Sequence, residues 1–253
     1  MSSKYKISPS ASSRFLTCTA SLPYNTEFHE NVHTLKGNLQ HEVAQLRLEQ
    51  IIFDKDNDKK IQKLTTEPYK SRKTQGLSVK WDRSCEDTVD NYITYIKNLI
   101  KQFKPKKIFL EYRIKMTFYG NKINGVVDFA MILPEDDIFI VDLKTGRSHV
   151  DADDNSQMLM YGYGMAQNIF RETNKLPNKV IISIAQSILN NTSAVSYTFE
   201  QLVNWYIAQA KPMKEINTNK LVFRPSVQAC KYCQRREECT ERIDAGVYFK
   251  FPK

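Results

Sequence analysis

Two apolar runs joined by a short acidic turn constrain this chain more than any other feature. Residues 123–133 read INGVVDFAMIL, residues 134–137 read PEDD, and residues 138–144 read IFIVDLK. Apolar runs of this length around a turn predict two antiparallel strands. Side chains alternate along a strand, so Val126, Asp128 and Ala130 share one face, and Ile138, Ile140, Asp142 and Lys144 share another. Asp128 and Asp142 are equidistant from Glu135 in the turn, which predicts that they stand opposite each other.

Two facing carboxylates repel and are costly to bury. A hard divalent cation removes that cost, and oxygen ligands suit Mg²⁺ or Mn²⁺. Such a cation activates water and neutralises phosphoryl charge. Lys144, two residues after Asp142, can stabilise the transition state of phosphodiester cleavage. The bland alternative is a surface hairpin with scattered charges. The apolar surroundings favour chemistry, because charges at the ends of buried strands need a reason.

The rest of the chain supplies helices to cover this hairpin. Ser10 is a candidate N-cap for a short helix through Leu16 that ends near Cys18. Gly37 to about Phe53 reads as a helix with two apolar stripes: Leu39, Val43 and Leu46, then Ala44, Leu48 and Ile51 or Ile52. His41 falls in line with the second stripe. Asp54–Lys60 reads as a charged loop, and residues 61–83 carry no clear pattern. Ser84 is the expected cap of a helix to about Phe103, and Ile108–Phe118 is an expected strand. A helix from about Asn155 to Phe170 follows the hairpin, capped by Asp153 or Asp154. Val180–Gln186 and Ala194–Phe199 read as strands, and Glu200–Ala210 as a helix that Pro212 ends or kinks.

Composition sets the outer limits. The chain has 253 residues, 41% hydrophobic and 26% charged, which is ordinary for a chain with a sizeable core. A net charge of +9 somewhat favours a polyanionic partner over the plainer reading, solubility alone. No apolar run approaches a bilayer span, and the N-terminus has no signal core, so the expected location is cytoplasmic.

Five cysteines in a reducing compartment argue against a disulfide framework. Cys230 and Cys233 form a C-x-x-C, and Cys239 follows. Three thiolates are one short of a four-coordinate site, and Cys18 is the natural fourth. Cys85 reads as an ordinary structural thiol. Lys231, Arg235, Arg236 and Arg242 read equally as a DNA-facing patch or a solvated helix face.

Taken together, Gly125-Val126-Val127-Asp128, Val141-Asp142-Leu143-Lys144-Thr145-Gly146, Gln157 and Tyr161 resemble the PD-(D/E)XK nuclease superfamily. Gly37-Asn38-Leu39-Gln40-His41-Glu42 adds the upstream histidine motif of its RecB-like branch, and Gln157 and Tyr161 give that branch's Q-x-x-x-Y. The resemblance covers most of the chain. It implies that His41, Asp128, Asp142 and the Leu143 carbonyl bind the metal, that Lys144 is catalytic, and that Gln157 and Tyr161 orient the phosphate or the lysine. Glu111 is a candidate supporting residue.

The cysteine layout resembles the iron–sulfur staple of AddB-type helicase–nucleases and CRISPR-associated RecB-like exonucleases. That implies a 4Fe–4S cluster on Cys18, Cys230, Cys233 and Cys239, with Zn²⁺ as the alternative. The opening Ser10-Ala11-Ser12-Ser13-Arg14-Phe15-Leu16-Thr17-Cys18 is similar to that of a phage- and prophage-associated RecB-like family.

The expectation is therefore an α/β, restriction-endonuclease-like core. A central mixed β-sheet is flanked by helices, and a cysteine-ligated cluster joins the N- and C-terminal segments. One domain is expected over 1–253, with its core at about 37–200 and cluster segments at about 10–20 and 225–242. The implied function is metal-dependent hydrolysis of DNA, at ends or in single strands, in phage-type recombination, replication or repair. Other recombination or replication proteins are implied partners, and a bacterial host cytoplasm is the implied location. The alternatives are a catalytically silent DNA-binding or assembly subunit and a zinc-stapled RNA-processing nuclease.

Overall fold

The computed structural model describes residues 3–24 and 30–248, so the ends of the expected domain at residues 1 and 253 lie outside the described residues. The chain opens with a short 3-10 turn at Pro9–Ala11 that runs into α1 (Ser12–Thr17). Ser10 is not the N-cap. It lies inside the turn that Pro9 initiates, and α1 begins after Ala11 without a side-chain cap. Cys18 sits at the C-cap of α1, in keeping with its place in the sequence.

Helix α2 (Val32–Phe53) starts five residues before Gly37. The Asn31 side chain accepts from the Thr34 amide and the Asn31 amide donates to the Thr34 hydroxyl, a capping box that outweighs the glycine's helix-breaking tendency. Gly37 matters for a different reason. A Cβ there would lie 2.9 Å from Thr145 Oγ1, so its absence lets α2 approach the loop after Lys144. Asp54 adopts φ 52° and ends α2.

The expected loop over Asp54–Lys60 is shorter than predicted, because α3 (Asp58–Thr66) begins within it. An acidic first turn favours that start, and Ile61 and Leu64 pack onto the core. The unpatterned stretch that follows forms a small hairpin, β1 (Tyr69–Lys70) with β2 (Ser78–Val79).

Helix α4 (Arg83–Phe103) is capped by Asp82 rather than Ser84. Asp82 accepts from the Cys85 amide, while Ser84 has already entered the helix. Its buried face carries Cys85, Val89, Tyr92, Ile93, Ile96 and Leu99, a stripe at helical spacing. The central sheet follows: β3 (Lys107–Phe118), β4 (Asn121–Ile132) and β5 (Ile138–Leu143). Helix α5 (Ser156–Thr173) comes next, then β6 (Lys179–Ala185) and β7 (Ala194–Thr198). Asn155 caps α5 through its contact with the Met158 amide, displacing the two preceding aspartates from that role.

The five strands lie in sequence order. β5 and β6 are parallel, with α5 as the connection, and the other neighbours are antiparallel. This is a mixed sheet flanked by helices, as expected. β5 is buried at all six positions, as a strand covered on both faces requires. Ile138 and Ile140 pack in one core with Met158, Met165 and Leu202. Phe139, Val141 and Leu143 pack in a second with Leu39, Val43, Val89 and Ile96.

Helix α6 (Phe199–Ala208) ends before Pro212, and α7 (Ala210–Asn217) carries that proline in its first turn, where a missing N–H is harmless. Two short helices, α8 (Val227–Cys230) and α9 (Thr240–Asp244), carry or flank the late cysteines. Among the described residues, no helix is long and apolar enough to cross a membrane.

Candidate active site

The register of β4 on β5 pairs Phe129 with Val141 and Ala130 with Ile140, so the next rung sets Asp128 against Asp142, as the hairpin turn implied. Asp128 leans onto β5, and its Oδ2 accepts from the Leu143 amide at 2.8 Å. From α2, His41 Nδ1 reaches the same oxygen at 3.5 Å.

Strict alternation fails at this level. On β4, Val127 packs in the α5-side core, whereas Phe129 packs in the other. On β3, Leu110 and Tyr112 divide in the same way. Both strands therefore change face at Glu111 and Asp128. Glu111 absorbs the change with φ 45°, in the left-handed region that costs a non-glycine residue about 1 kcal/mol.

That backbone turn assembles His41, Glu111 and Asp128, whose potential ligand atoms all lie within 4.8 Å of one another. The sequence alone gives Glu111 no more than a supporting role. A polar residue ending the run IFLE is the signal it offers, and the backbone conformation is invisible there. Asp142 lies beside this trio but is held otherwise. Lys144 Nζ is 2.8 Å from Asp142 Oδ2, and Gln157 Nε2 donates to Asp142 Oδ1 at 3.2 Å. Lys144 Nζ also donates to Gln157 Oε1 at 3.1 Å, and Gln157 Nε2 lies 3.2 Å from the Tyr161 hydroxyl. Gln157 and Tyr161, one turn apart on α5, thus clamp the lysine and its aspartate. Gly125 leaves room for this clamp: a Cβ there would meet the Tyr161 ring at 2.7 Å.

Electrostatics follow from the crowding. Burial pushes the Asp128 carboxyl up, but the His41 charge and hydrogen bond and the Leu143 amide prevail and hold it below its ordinary value. Burial, joined by the Asp128 charge, raises Asp142 against the pull of Lys144. Burial and Asp128 push Glu111 up to about 7. Burial alone would lower His41, yet Asp128, Asp142 and Glu111 raise it to about 9. For Lys144 too, burial works against the charge, and Asp142 and Asp128 overcome it. Burial first, then Asp142, raises Tyr161, which keeps its proton. Two carboxylates and one imidazole, with Asp142 beside them, form an oxygen-rich donor set that fits a hard divalent cation.

The second constellation is also brought together. Cys18, Cys230, Cys233 and Cys239 line one cavity of about 20 Å³, with Tyr24, Phe223 and Arg235 in its wall. The Arg235 guanidinium lies over the Tyr24 and Phe223 rings at 4.7 and 5.3 Å. Arg236 donates to the Lys231 carbonyl and Arg242 to the Val247 carbonyl. These local bonds brace the cysteine segment, a use that neither the DNA-facing patch nor the solvated helix face anticipated. Burial raises the Cys18 thiol, the Arg224 amide opposes this, and Cys230 and Cys233 add to the rise. Tyr232, inside the C-x-x-C, is exposed. Cys85 is fully buried on α4, apart from the other four.

The mixed five-stranded sheet carries helices on both faces, an α/β arrangement with these residues gathered at one level. The fold matches a protein of solved structure from Eubacterium rectale, described as a candidate exonuclease. The match covers 99% of this chain and 91% of that one, with a TM-score of 0.50 at 12% identity. A second solved structure, SSO0001, aligns over 90% of this chain and 95% of its own with a TM-score of 0.38 at 12% identity, too distant to bear on the fold. The chain belongs to the family described as protein of unknown function (DUF2800), whose pattern spans residues 5–251. A comparison with curated proteins found no match.

Proposed function

We propose that this chain is a metal-dependent deoxyribonuclease of the RecB-like branch, folded as one nuclease domain, that hydrolyses DNA phosphodiesters at ends or in single strands. The observation that carries the reading is Lys144, held charged between Asp142 and Gln157, beside the compact trio of His41, Glu111 and Asp128. That trio, with Asp142 and the Leu143 carbonyl, would hold Mg²⁺ or Mn²⁺. A divalent cation there supplies charge neutralisation at the phosphate and a more acidic water.

The chain's own groups supply the rest. Lys144 places a fixed positive charge where negative charge develops on the phosphate. Gln157 holds Lys144 and Asp142 in register, and Tyr161 braces Gln157. The net charge of +9 favours a polyanionic substrate.

The same proposal includes a 4Fe–4S cluster on Cys18, Cys230, Cys233 and Cys239, tying the chain's early and late segments together. Their convergence on one cavity supports a shared ligand. Zinc on the same four thiolates is the alternative. The biological setting proposed is phage-type recombination, replication or repair.

The test is cleavage of single- and double-stranded DNA, and of RNA, with Mg²⁺ or Mn²⁺, by the wild type and Lys144→Ala. Metal-dependent DNA cleavage lost in the variant is expected. Equal cleavage by both proteins rejects the catalytic assignment, and no cleavage by either favours the silent DNA-binding subunit.

A further inference from the structure

A second cleft adjoins the candidate site. It has a volume of about 260 Å³ and is lined by Asn91, Tyr92 and Tyr95 of α4 and by Gln186, Asn190 and Thr192 at and beyond the end of β6. Strands β5 and β6 are parallel, so this cleft and the Asp142–Lys144 site lie at the carboxyl ends of neighbouring strands, where open α/β sheets bind ligands. Tyr92 is shared. It also lines the small cavity formed by His41, Glu111, Asp128 and Leu143. The Tyr92 side chain is only 3% exposed, and its hydroxyl has no hydrogen-bond partner among the described residues. A buried donor left over at the partition between two cavities is costly unless a ligand uses it.

The frame of the cleft is already fixed. Gln186 donates to the Gly146 and Ser148 carbonyls and accepts from the Val150 amide, which ties the loop after Lys144 to the end of β6. Tyr95 is bound to Ser183 at 2.9 Å. By contrast, Asn91, Asn190 and Thr192 are exposed, and their side chains are not used in holding the frame. Among the described residues, no lysine, arginine, aspartate or glutamate lines the cleft. Neutral donors and acceptors beside tyrosine rings suit a base and sugar, not a phosphate.

We propose that this cleft is a nucleoside subsite. It receives the base and sugar of a nucleotide adjacent to the phosphate at the candidate site, with Asn91 and Thr192 as its hydrogen-bonding rim and the Tyr92 hydroxyl meeting the ligand at the partition. The assignment of DNA as ligand rests on the nuclease reading, whereas the subsite rests on the cleft itself.

The test is binding of single-stranded oligonucleotides to the full chain by fluorescence anisotropy, with Ca²⁺ as the divalent cation. The oligonucleotides carry an abasic nucleotide at each position in turn. One abasic position should weaken wild-type binding by about tenfold, the scale of two lost neutral hydrogen bonds. Asn91→Ala/Thr192→Ala, two exposed substitutions, should weaken binding of intact DNA to a similar degree and leave binding of that abasic oligonucleotide unchanged. Tyr92→Phe, which keeps the buried ring, should weaken both. Uniform tolerance of abasic positions, equal losses of the double variant on intact and abasic DNA, or no DNA binding by the wild type would overturn the subsite. The cleavage assay with Lys144→Ala reads the nuclease assignment separately. A chain that binds as described but does not cut keeps the subsite and loses the catalytic role.

Discussion

Glu111 occupies the rung between Leu110–Phe129 and Tyr112–Val127, directly across from Asp128, with its backbone turned to φ 45°. Strain and carboxylate crowding are concentrated at this one rung. Burial and Asp128 raise Glu111 to about 7, so the fold carries its negative charge at a cost. Such costs cluster where a site needs them.

Glu111→Gly separates stability from function. Glycine adopts positive φ freely, and its removal of about 1 kcal/mol of strain offsets an entropic penalty of about the same size. Without divalent cations the variant should therefore melt no lower than the wild type. Stabilisation by Mn²⁺, which reaches about 2.7 kcal/mol at a hundredfold excess over Kd for an intact site, should be largely lost. Thermal denaturation with and without Mn²⁺ reads both effects. A marked drop in melting temperature without metal would show that Glu111 is structural.

Gln157 and Lys144 should act as one unit. Gln157→Ala leaves Lys144 without its bond to α5 while Asp142 still attracts it. A displacement of about 1 Å at a reacting centre costs up to about a hundredfold in rate, so kcat should fall ten- to hundredfold with little change in KM. The double variant Gln157→Ala/Lys144→Ala should be no slower than Lys144→Ala alone. Independent, multiplying losses in steady-state kinetics would refute the clamp.

Asp82 sets an acid limit on stability. It caps α4, and the Lys36 ammonium at 2.7 Å, opposed by burial but aided by Ser84 and the Cys85 amide, holds its carboxyl well below the ordinary value of 3.8. A depressed folded value means that the contribution is present above the unfolded value and is lost as pH falls through the folded one. In Asp82→Asn the amide side chain would still cap the helix but would not titrate. The stability advantage of the wild type over this variant should thus be full at pH 7 and shrink steadily below about pH 4. Because Asp82 is half exposed, that advantage should not exceed about 1 kcal/mol. Urea unfolding at a series of pH values measures it, and an advantage that grows on acidification would contradict the assignment.

Protein purified without oxygen should be brown and contain iron and sulfide in equal proportion. Cys230→Ser should lose the colour and much of the stability, since ligand binding at such a site is also folding energy. Colourless wild type with one zinc per chain would reject the iron–sulfur assignment. Cys85→Ser is the control, because Cys85 lies elsewhere on α4 and should leave metal content unchanged.

Much of the fold is legible in the sequence for a physical reason. Hydrophobic period and turn chemistry are local, so β3, β4, β5, α5 and the mixed order of elements can be read directly. The Asp128–Asp142 register follows from counting outward from a short turn. Helix starts are misread where the cap is a less obvious residue: Asn31 with Thr34, Asp82 one turn ahead of Cys85, and Asn155 after two aspartates.

The sequence by itself thus placed Asp128, Asp142 and Lys144 around one hairpin and made a divalent cation the expected partner of the paired carboxylates. The tertiary structure decided which carboxylates share the imidazole. Alternation along a strand predicts one face for Val126, Asp128 and Ala130, but both β3 and β4 change face at the Glu111–Asp128 rung. On β3 that change coincides with one residue's positive φ, at Glu111, with the two cores packed on opposite faces of the sheet. No local pattern encodes it, because its energy comes from contacts between elements distant along the chain. The same holds for Tyr92, an ordinary member of a helical stripe until β6 and α2 set a cavity on either side of it.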